Sequence, residues 1–223
     1  MYIMHEYAKD SGIPIKGGRV VIQGFGNVGA NLARLLHQAG AKIVAVSDVD
    51  GGIHNENGLD VPSLFTHAYL QRNAVGDFHG GDAITNEQLW TVPCEWLVPA
   101  ALGGVISREG NAEKIDCRVV VEAANSPTTP IGEKILAERG ITVLPDMLVN
   151  AGGVVVSYFE WTQNLQQHPW SLERVNRGLH TKMQTAYRSV KEIVTAKNVS
   201  WRISALAIAL ERVAEAERLR AGW

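Results

Sequence analysis

Apolar residues in this chain fall into two patterns: short unbroken runs, and longer stretches where they return every three or four positions. The unbroken runs lie in Arg19-Val20-Val21-Ile22-Gln23, Lys42-Ile43-Val44-Ala45-Val46-Ser47, Glu95-Trp96-Leu97-Val98, Arg118-Val119-Val120-Val121-Glu122 and Ile141-Thr142-Val143-Leu144. Strands that are apolar on both faces belong inside a sheet covered on both sides, and helical stretches between them make the pairing parallel. Right-handed crossovers then predict a doubly wound α/β sheet, with spatial order 3-2-1-4-5-6.

The helical pattern is clearest after the first run, where Val28, Leu32, Leu35, Leu36 and Ala39 recur and Gly40 closes the helix. Asp60 followed by Val61-Pro62 opens a helix predicted to reach about residue 72. Residues 73–83, with three glycines, read as a loop, and Thr85-Asn86-Glu87-Gln88 has the spacing of a capping box. From Gly152 onward the strand signal stops. Residues 153–166, 171–197 and 201–220 read as helices, the last with Ile203, Leu206, Leu210 and Val213 on one face.

At the other end, residues 1–9 pair Ile3 with Tyr7 and Met4 with Ala8, and Asp10-Ser11-Gly12-Ile13-Pro14 stops the helix. A helix that starts at the first residue without a cap suggests a chain cut from a longer protein. The organisation expected is therefore a remnant linker helix at 1–15, a sheet core at 16–150, and a C-terminal helical segment at 151–223 packed on that core.

The first strand runs into Gly24-Phe25-Gly26-Asn27-Val28-Gly29, three glycines at the G-x-G-x-x-G spacing. Gly24 permits the tight turn, Gly26 lets backbone approach a pyrophosphate, and Gly29 lets helix and strand pack closely. The helix that follows offers unpaired N–H groups to phosphate. Asp48 ends the second strand, 19 residues beyond Gly29, where this Rossmann-type unit places an acid on a ribose diol.

Composition narrows the choice without changing it. The chain has 223 residues, 46% hydrophobic and 20% charged, which suits a globular domain. A net charge of −2 with no basic run argues against nucleic acid or an anionic membrane as partner. No stretch approaches the length of a bilayer span, and the first residues lack the pattern of a secretory leader. Cys94 and Cys117 form no framework and read as reduced thiols, so the expected location is cytoplasmic. The seven histidines are scattered with no pair at ligand spacing, and no metal site is expected.

In such a sheet the loops beyond the strand ends carry function. Ala100, Ala101, Ala124 and Ala151 leave room for a flat ring, and Asn125 and Asn150 have side chains suited to a ribose or carboxamide. Asparagine serves equally well as a helix cap or turn residue, and both readings stand for these two.

Gln23 to Gly29, Val120-Val121-Glu122-Ala123-Ala124-Asn125-Ser126-Pro127-Thr128-Thr129 and Asn150-Ala151-Gly152-Gly153-Val154-Val155-Val156-Ser157-Tyr158-Phe159-Glu160-Trp161 resemble the glutamate dehydrogenase family, which includes the leucine, phenylalanine and valine enzymes. Ser157 to Trp161 look like a glutamate enzyme rather than the other three. The resemblance implies oxidation of glutamate to 2-oxoglutarate and ammonia, with hydride passing to a nicotinamide nucleotide. By position it implies that Gly24, Phe25, Gly26, Asn27 and Val28 hold the pyrophosphate, and Asp48 and Val49 the adenosine ribose. Ala100, Ala101, Ala124, Asn125 and Asn150 would line the nicotinamide side. Ser157 would bond the distal carboxylate of the substrate, with Val154 against its methylenes, while Trp161 and Glu160 read as structural. Asp48, and the lack of any lysine or arginine between Ile43 and Leu59, favour NAD without excluding NADP.

The resemblance also exposes a departure. The family carries its substrate lysines and catalytic lysine and aspartate upstream of the glycine turn, and here only Lys9 and Lys16 precede it. A T-G-x-G-V type segment before the first helix is likewise missing. The expectation is a truncated enzyme: the cofactor-binding half only, with no catalytic residue of its own, inactive alone. Family members are hexamers, whereas this chain is expected as a monomer or non-native oligomer. The rival readings are a non-catalytic nucleotide-binding partner or sensor subunit and, behind it, a dehydrogenase of another amino acid.

Overall fold

The computed structural model describes residues 1–107 and 110–221. In chain order the regular elements are α1 (Tyr2–Ser11), β1 (Arg19–Gln23), α2 (Asn27–Gln38), β2 (Lys42–Ser47), β3 (Gly52–His54), α3 (Val61–Leu64), β4 (Asp82–Ile84), α4 (Asn86–Leu89), β5 (Cys94–Pro99), β6 (Cys117–Val121), α5 (Pro130–Glu138), β7 (Thr142–Leu144), α6 (Asp146–Val149), α7 (Ala151–Gln166), α8 (Leu172–Lys197) and α9 (Trp201–Ala221). A seven-stranded sheet runs in the order β4-β3-β2-β1-β5-β6-β7. The five strands read from the sequence form its parallel part. Val20, Val21 and Ile22 of β1 are all buried, because helices cover both faces. Val20 and Ile22 face a core shared with α1, α2 and α8, and Val21 faces one shared with α4 and α5.

The sheet is mixed rather than wholly parallel. β3 pairs antiparallel with β2, and β4 antiparallel with β3, taking the flank where a parallel third strand was expected. Only the turn between Ser47 and Gly52 joins β2 to β3, closed by the Asp48 N–H on the Gly51 carbonyl at 2.8 Å. That is too short for a crossover, so a hairpin is the sole outcome. β4 overlaps the end of the segment read as a loop, and Val75–Asp77 before it is a 3₁₀ turn. The helix expected to reach residue 72 is α only through Leu64, then continues as a π-helical stretch, Phe65–Leu70.

Two apolar faces also differ from expectation. On α2 the buried residues are Gly29, Ala30, Ala33 and Leu36, while Val28 and Leu35 are exposed. The face against the sheet is the one with small side chains, because it brings the helix axis closest to the strands. On α9, Ile203, Leu206, Leu210 and Val213 do share a face, but it is turned to solvent; Ser204 and Ala205 are the buried pair. The capping box at α4 forms as read, with Thr85 and Gln88 bonding reciprocally.

α1 is tied to α8 by polar contacts as well as packing. The Tyr187 hydroxyl donates to Asp10 at 2.6 Å, and Lys191 pairs with the same carboxylate at 2.7 Å. Cys94 and Cys117 are free and stand opposite each other at the starts of β5 and β6. Burial pushes the Cys117 thiol up to about 12 and raises Cys94 well above its ordinary value. A raised pKa keeps a thiol protonated until the pH approaches it, so at pH 8 the Cys117 thiolate fraction is about 10⁻⁴. Neither cysteine is expected to react with a disulfide reagent at pH 8 within minutes, and both should react once guanidinium unfolds the chain. Rapid native labelling would contradict this burial.

Candidate functional site

The site is built where β1, β2, β5 and β6 end. Gly24 leaves β1 with φ at 97°, its N–H donating to the Ser47 carbonyl at 2.9 Å. A Cβ there would lie 2.8 Å from the Ala101 Cβ and 3.1 Å from the Ala100 carbonyl. The turn is therefore wedged between the ends of β2 and β5, the point where strand order reverses about β1. A Cβ at Gly29 would come within 1.8 Å of the Gly24 carbonyl oxygen, whereas one at Gly26 would meet nothing within 4 Å. Protein thus fills the space beside Gly24 and Gly29 and leaves the space above Gly26 open. Among the described residues no side chain caps α2, so its first-turn N–H groups face that opening without a protein partner there. This is the fit a pyrophosphate requires.

Phe25 is buried and anchors the turn in the core. Asn27 opens α2, and its Oδ1 accepts from the Tyr69 hydroxyl at 2.9 Å, a contact with the π-helical stretch that the sequence did not suggest. Val28 lies half-exposed beside it.

Asp48 is held more firmly than its position alone implied. Its Oδ1 accepts from the N–H groups of Asp50 at 2.9 Å and Gly51 at 3.2 Å, and its Oδ2 from the Val75 N–H at 2.7 Å. The Asn86 amide donates to the carbonyls of Asp48 at 3.1 Å and Val49 at 3.4 Å. Val49 is 89% exposed at the rim. Val75 lies on a segment that carries no motif, and the capping box around Asn86 says nothing of Asp48, so only the fold joins them to this acid.

On the opposite side, the Ala100 N–H donates to the Gln23 carbonyl at 2.8 Å, and the Ala123 and Ala124 N–H groups donate to the Pro99 carbonyl at 3.0 and 2.9 Å. These bonds draw the loops after β5 and β6 together. The Asn150 side chain donates to Asn125 Oδ1 at 2.7 Å. Asn150 makes no side-chain cap on α7, and Thr129 rather than Asn125 caps α5. Neither asparagine makes a side-chain helix cap; their amides meet each other across two loops.

Val154 and Ser157 lie one and two turns into α7 from Asn150, both exposed. Trp161, read as structural, is 56% exposed and sits against Tyr158 at 5.7 Å between ring centroids. Glu160 is exposed too, and among the described residues it has no ion-pair partner. Phe159 is the buried residue of this stretch of α7.

A feature missed entirely lies behind the Asn125–Asn150 pair. Glu122, completely buried at the end of β6, accepts from Arg202 Nη2 at 2.8 Å on both its oxygens. The same guanidinium reaches Glu133 through Nε and Asp146 Oδ1 at 3.3 Å. Burial lowers the Arg202 pKa, but hydrogen bonds to Glu122 and Glu133 outweigh it and the pKa is raised. A charged residue directly after an apolar strand was the available signal; its partner, 80 positions away, left none. Next to this cluster, between α5, β7 and the start of α9, is a cavity of about 860 Å³ lined by Thr128, Glu133, Met147, Trp201 and Arg202. It is at the far edge of the sheet, apart from the glycine turn.

A doubly wound sheet with a glycine turn at its reversal point is the architecture of nucleotide-dependent oxidoreductases. The chain belongs to the Glutamate/Leucine/Phenylalanine/Valine dehydrogenase family, which it matches over residues 1–221. It is 48% identical over 210 residues to NAD-specific glutamate dehydrogenase A of Halobacterium salinarum, covering 94% of this chain and 48% of that protein. Its fold is similar to the hetero-hexameric glutamate dehydrogenase of Thermus thermophilus in a leucine-bound form, with a TM-score of 0.92 at 33% identity over 98% of this chain and 51% of that one. The glutamate dehydrogenase of Peptoniphilus asaccharolyticus gives 0.81 at 32% identity over 100% and 52%. The chain spans about half the length of the relatives it matches.

Proposed function

We propose that this chain is the nicotinamide-dinucleotide-binding half of a glutamate dehydrogenase that prefers NAD. The observation that carries the reading is the contrast between Gly29, closed against backbone, and Gly26, open above the uncapped start of α2. In it, Gly24 to Val28 hold the pyrophosphate, Asp48 and Val49 the adenosine ribose, and Ala100, Ala101, Ala124, Asn125 and Asn150 the nicotinamide end. When bound, the nicotinamide supplies the hydride acceptor. Ser157, with a hydroxyl free to donate, bonds the distal carboxylate of glutamate, and Val154 packs on its methylenes.

Among the described residues no lysine stands at the strand ends to polarise the substrate, and Asp48 already accepts from three N–H groups. The chain alone is therefore expected to bind dinucleotide weakly and to turn over no glutamate. Calorimetric titration with NADH and a steady-state assay with pure protein check both halves. Glutamate-dependent NAD reduction at about 1 per second or faster would refute the second.

The exposed apolar residues on α7 and α9, among them Val154, Trp161, Leu206 and Leu210, are surfaces that find partners. For this chain alone we expect a monomer or, through these surfaces, a non-native oligomer rather than a hexamer. Sedimentation at micromolar concentration tests this, and a stable hexamer would count against it.

A further inference from the structure

We infer that Arg202, through Asp146 and Glu122, positions the Asn125–Asn150 amide pair for the nicotinamide end of the dinucleotide. This rests on the cofactor reading above and assigns a role to a cluster that reading does not use. One guanidinium among three carboxylates is a costly way to hold helices together, since apolar packing would serve as well. What the cluster does hold is specific. Asp146 Oδ2 accepts from the Ser126 N–H at 2.7 Å, and the Asp146 backbone carbonyl accepts from the Asn150 N–H at 2.8 Å. Asp146 therefore grips both chain segments that carry the amide pair. Glu122 Oε2 in turn accepts from the Asp146 N–H at 2.9 Å, which fixes the start of α6. Ser126 is left-handed at φ 44°, a conformation a non-glycine residue keeps only when its surroundings impose it.

Arg202 is the counter-charge for all of this. Without it, Glu122, Glu133 and Asp146 face one another unneutralised, and the two partly exposed members, Glu133 and Asp146, are able to turn toward water while Glu122 is not. The Ser126 N–H would then lose its acceptor, and Asn125 would move relative to Asn150. Lysine keeps the charge but lacks the planar fork that reaches three carboxylates at once. Arg202 is a positioning residue, acting only through the groups it holds.

The test compares two ligands on wild type, Arg202→Lys and Asp146→Asn. NADH carries the nicotinamide and ADP-ribose does not. In both variants the NADH dissociation constant is expected to rise about tenfold, as for a misplaced hydrogen-bonding pair, while that of ADP-ribose stays within about twofold. A merely structural cluster would lower the melting temperature, or weaken both ligands alike, without separating them. Should Arg202→Lys not fold, Asp146→Asn decides alone, because it is nearly isosteric. Equal weakening of the two ligands, or unchanged binding of both, overturns the assignment. A wild type that binds neither ligand overturns the cofactor reading itself, and this assignment with it.

Discussion

Gly26→Ala is expected to fold like the parent chain and lose the dinucleotide, while Gly29→Ala is expected to lose the fold. The two positions are three residues apart in one motif, yet their surroundings are opposite. At Gly29 a methyl group would sit 1.8 Å from the Gly24 carbonyl oxygen and 3.3 Å from Ile22. Relief requires α2 to lift from β1, which breaks the packing of Ala30, Ala33 and Leu36. Overpacking of this kind against backbone costs roughly 3 kcal/mol or more, a large share of a domain's net stability. At Gly26 the backbone is at φ −79°, which alanine adopts freely, and nothing lies within 4 Å. The stability cost there is about 1 kcal/mol, the usual loss for alanine at a helix start. The new methyl would instead occupy the volume a pyrophosphate needs, and the NADH dissociation constant should rise about a hundredfold or more. Thermal melting and NADH titration of both variants check the pair. A Gly29→Ala protein that melts with the parent, or a Gly26→Ala protein that binds NADH normally, would contradict the geometry.

The second large effect is selectivity between nucleotides. A 2′-phosphate would enter beside Asp48, whose carboxylate is clamped by three N–H groups and is not free to swing aside. No lysine or arginine lies between Ile43 and Leu59 to receive it, and the one candidate, His54, has its Nε2 3.5 Å from a Glu56 carboxylate oxygen. At a few ångströms and an effective dielectric near 20, the repulsion is roughly 1–3 kcal/mol after screening. That is about tenfold to a hundredfold in favour of NAD. Asp48→Asn keeps an acceptor for the loop N–H groups and removes the charge, so the preference should fall to within about threefold. Titrating both nucleotides into both proteins measures this. Equal binding of NAD and NADP by wild type, or an unchanged ratio in Asp48→Asn, would defeat the argument.

The parts of this protein legible in its sequence are those set by neighbours along the chain. Val20 to Ile22 and Val119 to Val121 announced strands buried on both faces because they are short, rich in β-branched residues and separated by helical stretches. The glycine turn was legible because each glycine answers a local backbone demand. The long helices were legible from their periodicity, and α4 from its capping box. β3 and β4, Gly52-Ile53-His54 and Asp82-Ala83-Ile84, hold no apolar run and passed unseen, whereas the equally short β7 was legible from Ile141 to Leu144.

What the tertiary structure alone decided is which side chains meet. Hydrophobicity ranks Val28 and Leu35 above Ala30 and Ala33, but the distance of closest approach between α2 and the sheet reverses that order. The sequence supplied Asp48; the fold brought Val75, 27 residues on, to clamp it. It supplied Asn125 and Asn150 as separate residues 25 positions apart, and the fold brought their amides together at 2.7 Å. Glu122 and Arg202 carry no shared pattern across 80 positions, because an ion pair needs proximity in space and imposes no spacing along the chain. Periodicity and turn chemistry are local and can be read in order; contacts between distant segments exist only once the sheet has been wound and its helices packed.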